Sequence, residues 1–169
     1  DASVINGKTY IAVATDGGVS VINETDGTVV NYTDIGRKSR SVALSSDGTL
    51  YYSDEISANE DDFYVQTKIQ NDTVDVTGGA NDFQYCSFSG HSFHPCLTAG
   101  TPRPKIQSIN ISNNSSPFGG NTLYIGTNRG LTIVQEKQGD ETNGSVSYIT
   151  KDFQTEEMVG DIRGMWTFD

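Results

Sequence analysis

Basic residues are scarce in this chain: 11 Lys and Arg stand against 22 Asp and Glu, for a net charge of −11. Such a surface repels a phosphate backbone over most of its extent, so nucleic acid is not an expected partner. The one basic cluster, Arg37, Lys38 and Arg40, reads as a solvated loop entering a strand. No apolar run approaches the roughly 20 residues of a membrane-crossing helix, and Asp1-Ala2-Ser3 does not open a signal peptide, so no membrane insertion is expected. Familiar catalytic signatures are missing as well. The chain has no Gly-x-Ser-x-Gly elbow and no glycine-rich phosphate cradle followed by lysine, and the oxygen-rich stretches 23–27 and 59–62 lack EF-hand spacing. Proline is rare, 4 residues against 18 glycines.

What is present is Gly, Thr, Ser, Asn and Asp between apolar runs of three to five residues, the requirement of many brief strands joined by tight turns. An all-β chain follows. Residues 121–134 make the pattern explicit. Leu123, Tyr124 and Ile125 precede the turn residues Asn128-Arg129-Gly130, and Leu131, Ile133 and Val134 resume the strand, which reads as a β-hairpin. The same hairpin is written at 9–22, where Tyr10, Ile11 and Val13 precede Thr15-Asp16-Gly17-Gly18 and Val19, Val21 and Ile22 follow. Thr15 thus corresponds to Thr127, and Gly18 to Gly130. Ser53, after Leu50-Tyr51-Tyr52, is the expected intermediate copy, which gives spacings of 38 and 74 residues and a repeat of about 40.

Val19-Ser20-Val21-Ile22-Asn23, followed by Thr25-Asp26-Gly27-Thr28-Val29-Val30 and Ile35-Gly36, resembles the YVTN-type β-propeller repeat of surface-layer and other extracellular proteins. The stretch Leu-Tyr-Ile-Gly-Thr-Asn-Arg-Gly-Leu at 123–131 is similar to the repeats of sensor-type propellers. The resemblance implies one β-propeller domain over 1–169 with about four small blades: 161–169 joined to 4–36, then 39–77, 80–100 and 104–151. In this reading the C-terminal strand pairs beside Tyr10–Ala14 and closes the ring; the alternative is a segment of a larger propeller. One short helical turn is expected at 155–158.

For function, the resemblance implies a non-enzymatic binding or structural module of an extracellular, cell-surface or virion-surface protein such as a phage tail. Its expected partner is a protein or a glycan, alongside neighbouring domains or subunits of a larger assembly. Two alternatives accompany it: a propeller hydrolase or lyase acting on a glycan or lactone, and a purely architectural segment of a longer fibre.

Both cysteines and both histidines fall within eleven residues, as Cys86-x4-His91-x2-His94-x-Cys96. The expected pairing is a Cys86–Cys96 disulfide that staples an irregular loop, favoured by an extracellular setting. The alternatives are separate thiols, and a zinc site built from all four side chains. No catalytic residue and no obligatory cofactor is expected, zinc and calcium being the candidate ions. Residues 55–62 are acidic without apolar period and read as an exposed loop. Asp54, Glu55, Asp61 and Asp62, with Phe88, His91 and Phe93, are the residues expected to meet a ligand. Trp166 and Phe168 are expected in the core.

Overall fold

Asn6 (φ 51°) and Gly7 (φ 77°) both sit in the left-handed region, the requirement of a two-residue hairpin turn whose twist matches its strands. This turn folds β1 (Ala2–Ile5) onto β2 (Lys8–Thr15), and β3 (Gly18–Asn23) and β4 (Thr28–Thr33) continue the meander. The protein is described by a computed structural model at residues 1–33, 38–57, 60–77, 83–86, 105–128, 130–150 and 162–168. A second meander contains β5 (Val42–Leu44), β6 (Leu50–Ser57) and β7 (Glu60–Gln66). After a 3-10 turn at Ile69–Asn71, β8 (Val76–Thr77) returns to the first sheet and runs parallel to β4, while β9 (Phe83–Cys86) completes the second beside β7. The third sheet is β10 (Ile106–Ser112), β11 (Gly119–Thr127), β12 (Gly130–Lys137), β13 (Asp140–Thr150) and β14 (Ile162–Phe168), in that order. The described residues are all-β, in three sheets built from antiparallel meanders, with no α-helix.

Strand alternation decides how the sheets stack. Tyr10, Ala12, Val19, Val21 and Tyr32 of the first sheet share one core with Leu44, Leu50, Tyr52 and Tyr64 of the second. The odd-numbered set of the second sheet, Ala43, Tyr51, Phe63 and Val65, packs instead on Ile106, Ile109, Leu123, Ile125, Val134 and Val146 of the third. The second sheet is therefore covered on both faces. Its tyrosines stack within each face, Tyr52 on Tyr64 at 5.4 Å and Tyr51 on Phe63 at 6.3 Å. Each fully buried Leu, Ile or Phe contributes on the order of 1.5–3 kcal/mol, so these two cores dominate the stability. The first strands of the sheets lie together, β5 touching β1, β2 and β10. Hydrogen bonds stitch them: Leu44 N–H donates to Asp1 Oδ2 (2.8 Å) and Ile109 N–H to Ser41 Oγ (2.8 Å).

Five expectations are corrected. The C-terminal strand does not pair with Tyr10–Ala14: Met165 lies opposite Ser147 and Trp166 opposite Val146, in the third sheet. Both edges of β2 are already occupied, because the Asn6-Gly7 turn supplies β1 as its other neighbour. The block 39–77 is not one unit, since Val76–Thr77 joins the first sheet; there Asp75 accepts the Asn31 N–H at 2.9 Å. The strand of 80–100 that is described, β9, is no separate sheet but the fourth strand of the second. Finally, the stretch read as an exposed acidic loop is the paired end of β6 and β7, with Asp54, Asp61 and Asp62 buried. The face pattern also moves the repeat by one. Asp54, not Ser53, points with Thr15 and Thr127 toward the preceding side of its sheet, and a one-residue slip exchanges the faces. The turn expected at 155–158 lies outside the described residues.

Candidate functional site

The second sheet carries polar groups at both ends. At the β6–β7 end, the ladder sets Asp54 opposite Asp62 and Glu55 opposite Asp61. Like charges directly opposite destabilise a sheet unless other groups compensate. Glu55 has such groups: Arg40 holds it through both Nε (2.9 Å) and Nη2, and Lys105 Nζ approaches at 3.4 Å. The Arg40 hydrogen bond, reinforced by Lys105, keeps the Glu55 carboxyl below its ordinary pKa. Asp61 is only 1% exposed. One of its oxygens accepts the Ile106 N–H at 2.7 Å, which ties the start of β10 to the second sheet, while Oδ1 has no hydrogen-bond partner. Burial raises the Asp61 pKa against the opposing pull of that N–H. Asp62 accepts from Tyr64 Oη at 3.4 Å. Of the residues expected to meet a ligand, these four carboxylates lie on two adjoining rungs but on opposite faces, Asp54 and Asp62 toward the first sheet and Glu55 and Asp61 toward the third, with Asp54, Asp61 and Asp62 buried. Phe88, His91 and Phe93, with His94 and Cys96, lie outside the described residues; Cys86 lies on the backbone of β9. Neither the disulfide nor the zinc arrangement is therefore addressed by the described residues. Among those residues no group of three or more His, Cys, Asp or Glu is placed to hold a metal ion.

At the opposite end, a cleft of about 310 Å³ opens between the second and third sheets, lined on one side by Asp47, Thr49 and Lys68 and on the other by Asn114, Asn121, Glu136 and Lys137. Its floor is a buried hydrogen-bond network. Tyr51 Oη donates to Glu136 Oε2 at 2.6 Å; Asn121 Nδ2 donates to Tyr51 Oη at 3.1 Å and to Asp47 Oδ2 at 3.3 Å. Asn121 Oδ1 in turn accepts the Asn114 N–H at 3.2 Å. Glu136 is 1% exposed and Tyr51 fully buried, whereas Asp47 reaches solvent at the mouth. Burial, then the Glu136 charge, pushes the Tyr51 phenol well above its ordinary pKa, so it stays a donor at neutral pH. Gly120 lets β11 pass beneath β12: a Cβ there would lie 2.5 Å from the Glu136 carbonyl oxygen. A bulge between Gly119 and Thr122 accommodates the approach.

No family model, curated protein or solved structure matches this chain. The chemistry of the cleft therefore speaks from its own residues. It presents the solvated Asp47 carboxylate at the mouth and two lysines among its lining, above a floor whose carboxylate and amide are buried and hydrogen-bonded within the protein. These are donors and acceptors for a polar, hydroxyl-bearing ligand.

Sequence reasoning missed this cleft. Asp47, beside Gly48, carries in the sequence only the signal of a turn, and Tyr51 only that of a strand. The available signal was Glu136 itself, which continues the register Thr132-Val134-Glu136 and so puts a carboxylate in line with buried positions. A charge on an apolar face asks for a partner, and Tyr51 from the neighbouring sheet supplies it.

Proposed function

We propose that the three sheets are successive blades of a β-propeller and that the chain serves as a non-enzymatic recognition module in an extracellular, cell-surface or virion-surface protein. Each meander hands the chain from its far side to the first strand of the next sheet, and these first strands lie together; that arrangement supports the blade reading. The observation that carries the binding role is the cleft between the second and third sheets, where the exposed Asp47, Lys68 and Lys137 offer hydrogen-bond groups, Asp47 being fixed from below by Asn121. A glycan is the ligand class it fits, because sugar hydroxyls both donate and accept.

A glycan array followed by calorimetric titration tests this. The expected result is a bound glycan whose affinity falls about tenfold or more in Asp47→Ala, a change at an exposed position, as expected for loss of a charged hydrogen bond of roughly 1.5–3 kcal/mol. Binding that Asp47→Ala leaves unaltered would overturn the assignment of the cleft.

One observation favours a second reading, a glycan hydrolase or lyase: Asp47 and Glu136, from different sheets, join one network through Asn121 and Tyr51. Against it, both carboxylates are already engaged in hydrogen bonds and Tyr51 is held protonated. Release of reducing ends from a glycan recognised on the array, lost in Glu136→Gln, would decide for the enzyme.

A further inference from the structure

The first and third sheets each leave one face without a neighbouring sheet among the described residues, and the two faces are of opposite kinds. A position in the first hairpin has its counterpart 112 residues on. Leu123, Ile125 and Val134 are fully buried against the second sheet, whereas their counterparts Ile11 and Ile22 are half-buried and Val13 is 40% exposed. Conversely, Val19 and Val21 are buried against the second sheet, and their counterparts Leu131 and Ile133 are only half-buried. The first sheet thus presents outward the face with which the third meets its predecessor. The third presents the face with which the first meets its successor.

Both outward faces are built like interiors. On the first sheet, Ile11, Ile22 and Val29 form one continuous rung, with Val29 53% exposed. On the third, Tyr124, Ile133 and Ser147 form another, with Tyr124 41% exposed. The adjoining rung of the first sheet, Val13, Ser20 and Asn31, has no charged member, the nearest carboxylate being Asp75 at its Asn31 end. Contiguous uncharged apolar faces of this kind mark interaction surfaces.

The geometry points to a second copy of this chain as the occupant: the first sheet of each copy stacks on the third sheet of the other. This inference rests on the blade reading above. The contact repeats an interface the chain already makes twice, between its first and second and between its second and third sheets, so it needs no new kind of packing. It is head-to-tail, and two copies of three sheets give a closed ring of six, within the four to eight blades usual for propellers.

Native mass spectrometry and light scattering at micromolar concentration test the pairing, using the wild type, Val29→Lys and Tyr124→Lys. Both substituted side chains are substantially exposed within one chain, and circular dichroism checks that each variant folds. A species of twice the single-chain mass is expected for the wild type, with association weakened at least tenfold in either variant. An equimolar mixture of the two variants regains a heterodimer, because one of its two contacts has both faces intact. A monomeric wild type, an open polymer that lengthens with concentration, or a Tyr124→Lys protein that dimerises normally would overturn the inference; the last would mean that first sheets pair with themselves. The ring and the recognition module fail separately. A monomer that still binds a glycan through the Asp47 cleft removes only the ring.

Discussion

The hairpins at 9–22 and 121–134 are the same local design, down to Thr15 and Thr127 each donating its hydroxyl to the carbonyl of the glycine three residues on, at 3.0 and 3.1 Å. Their surroundings differ. Ile125 and Val134 are interior, while Val13 and Ile22 face outward; Glu136 is buried against Tyr51, while its counterpart Glu24 is exposed. Local sequence therefore determines that a hairpin forms, and the neighbouring sheet determines what each of its side chains is worth.

The largest effect separates matched core truncations. Ile125→Ala should cost about 2–5 kcal/mol in urea unfolding, from lost burial and the cavity left behind. Val13→Ala, measured in chains held monomeric by Val29→Lys, should cost about 0.5 kcal/mol, as for an ordinary surface change. Similar losses would break the distinction. Next comes the carboxylate pair. Glu136→Ala removes the acceptor of a fully buried phenol and should cost about 1–3 kcal/mol, against about 0.5 kcal/mol or less for Glu24→Ala.

A smaller effect concerns the middle hairpin, where Asp54 replaces the threonine of the other two and Asp61 is buried beyond it. Because burial raises the Asp61 pKa, the folded state holds the proton more tightly than the unfolded chain. Its contribution to stability is thus most favourable below the unfolded value of about 4 and declines as pH rises through the folded pKa. Asp61→Asn, which keeps an acceptor for the Ile106 N–H, should raise the melting temperature at pH 7, with the gain vanishing below about pH 4. The smallest effect is Arg40→Ala. Glu55, with its pKa lowered, supports the fold above its unfolded pKa and loses that support as pH falls. The variant should show a slight, salt-sensitive loss at neutral pH that disappears in acid, read from melting curves at two ionic strengths.

The hairpins at 9–22 and 121–134 and the all-β class could be read directly, because turn residues and alternation are local signals. Thr15 to Gly18 carries its conformation in its own side chains or lack of them, whereas the Asn6-Gly7 turn and the strand before it went unread. The partner of a strand is not local. β14 could as well have been assigned to β2 from its composition, and what prevents this is β1, which a short turn delivers to that edge first. The acidic end of β6–β7 misled for a related reason: carboxylates signal solvent unless a cation or amide arrives from elsewhere, and Arg40, Lys105 and the Ile106 amide arrive from distant segments. The Tyr51–Glu136 contact spans 85 residues and so had no local trace beyond a charge in a buried register.

Amide hydrogen exchange on the monomeric Val29→Lys chain compares the two hairpins most directly. β2 and β11 are each hydrogen-bonded on both edges, so any difference in protection comes from packing rather than from ladder position. Amides of Leu123, Ile125 and Val134 should exchange at least about tenfold more slowly than those of Ile11, Val13 and Ile22, the equivalent of roughly 1.4 kcal/mol in opening free energy. Equal protection of the two sets would contradict the assignment of one hairpin to the interior and the other to a boundary.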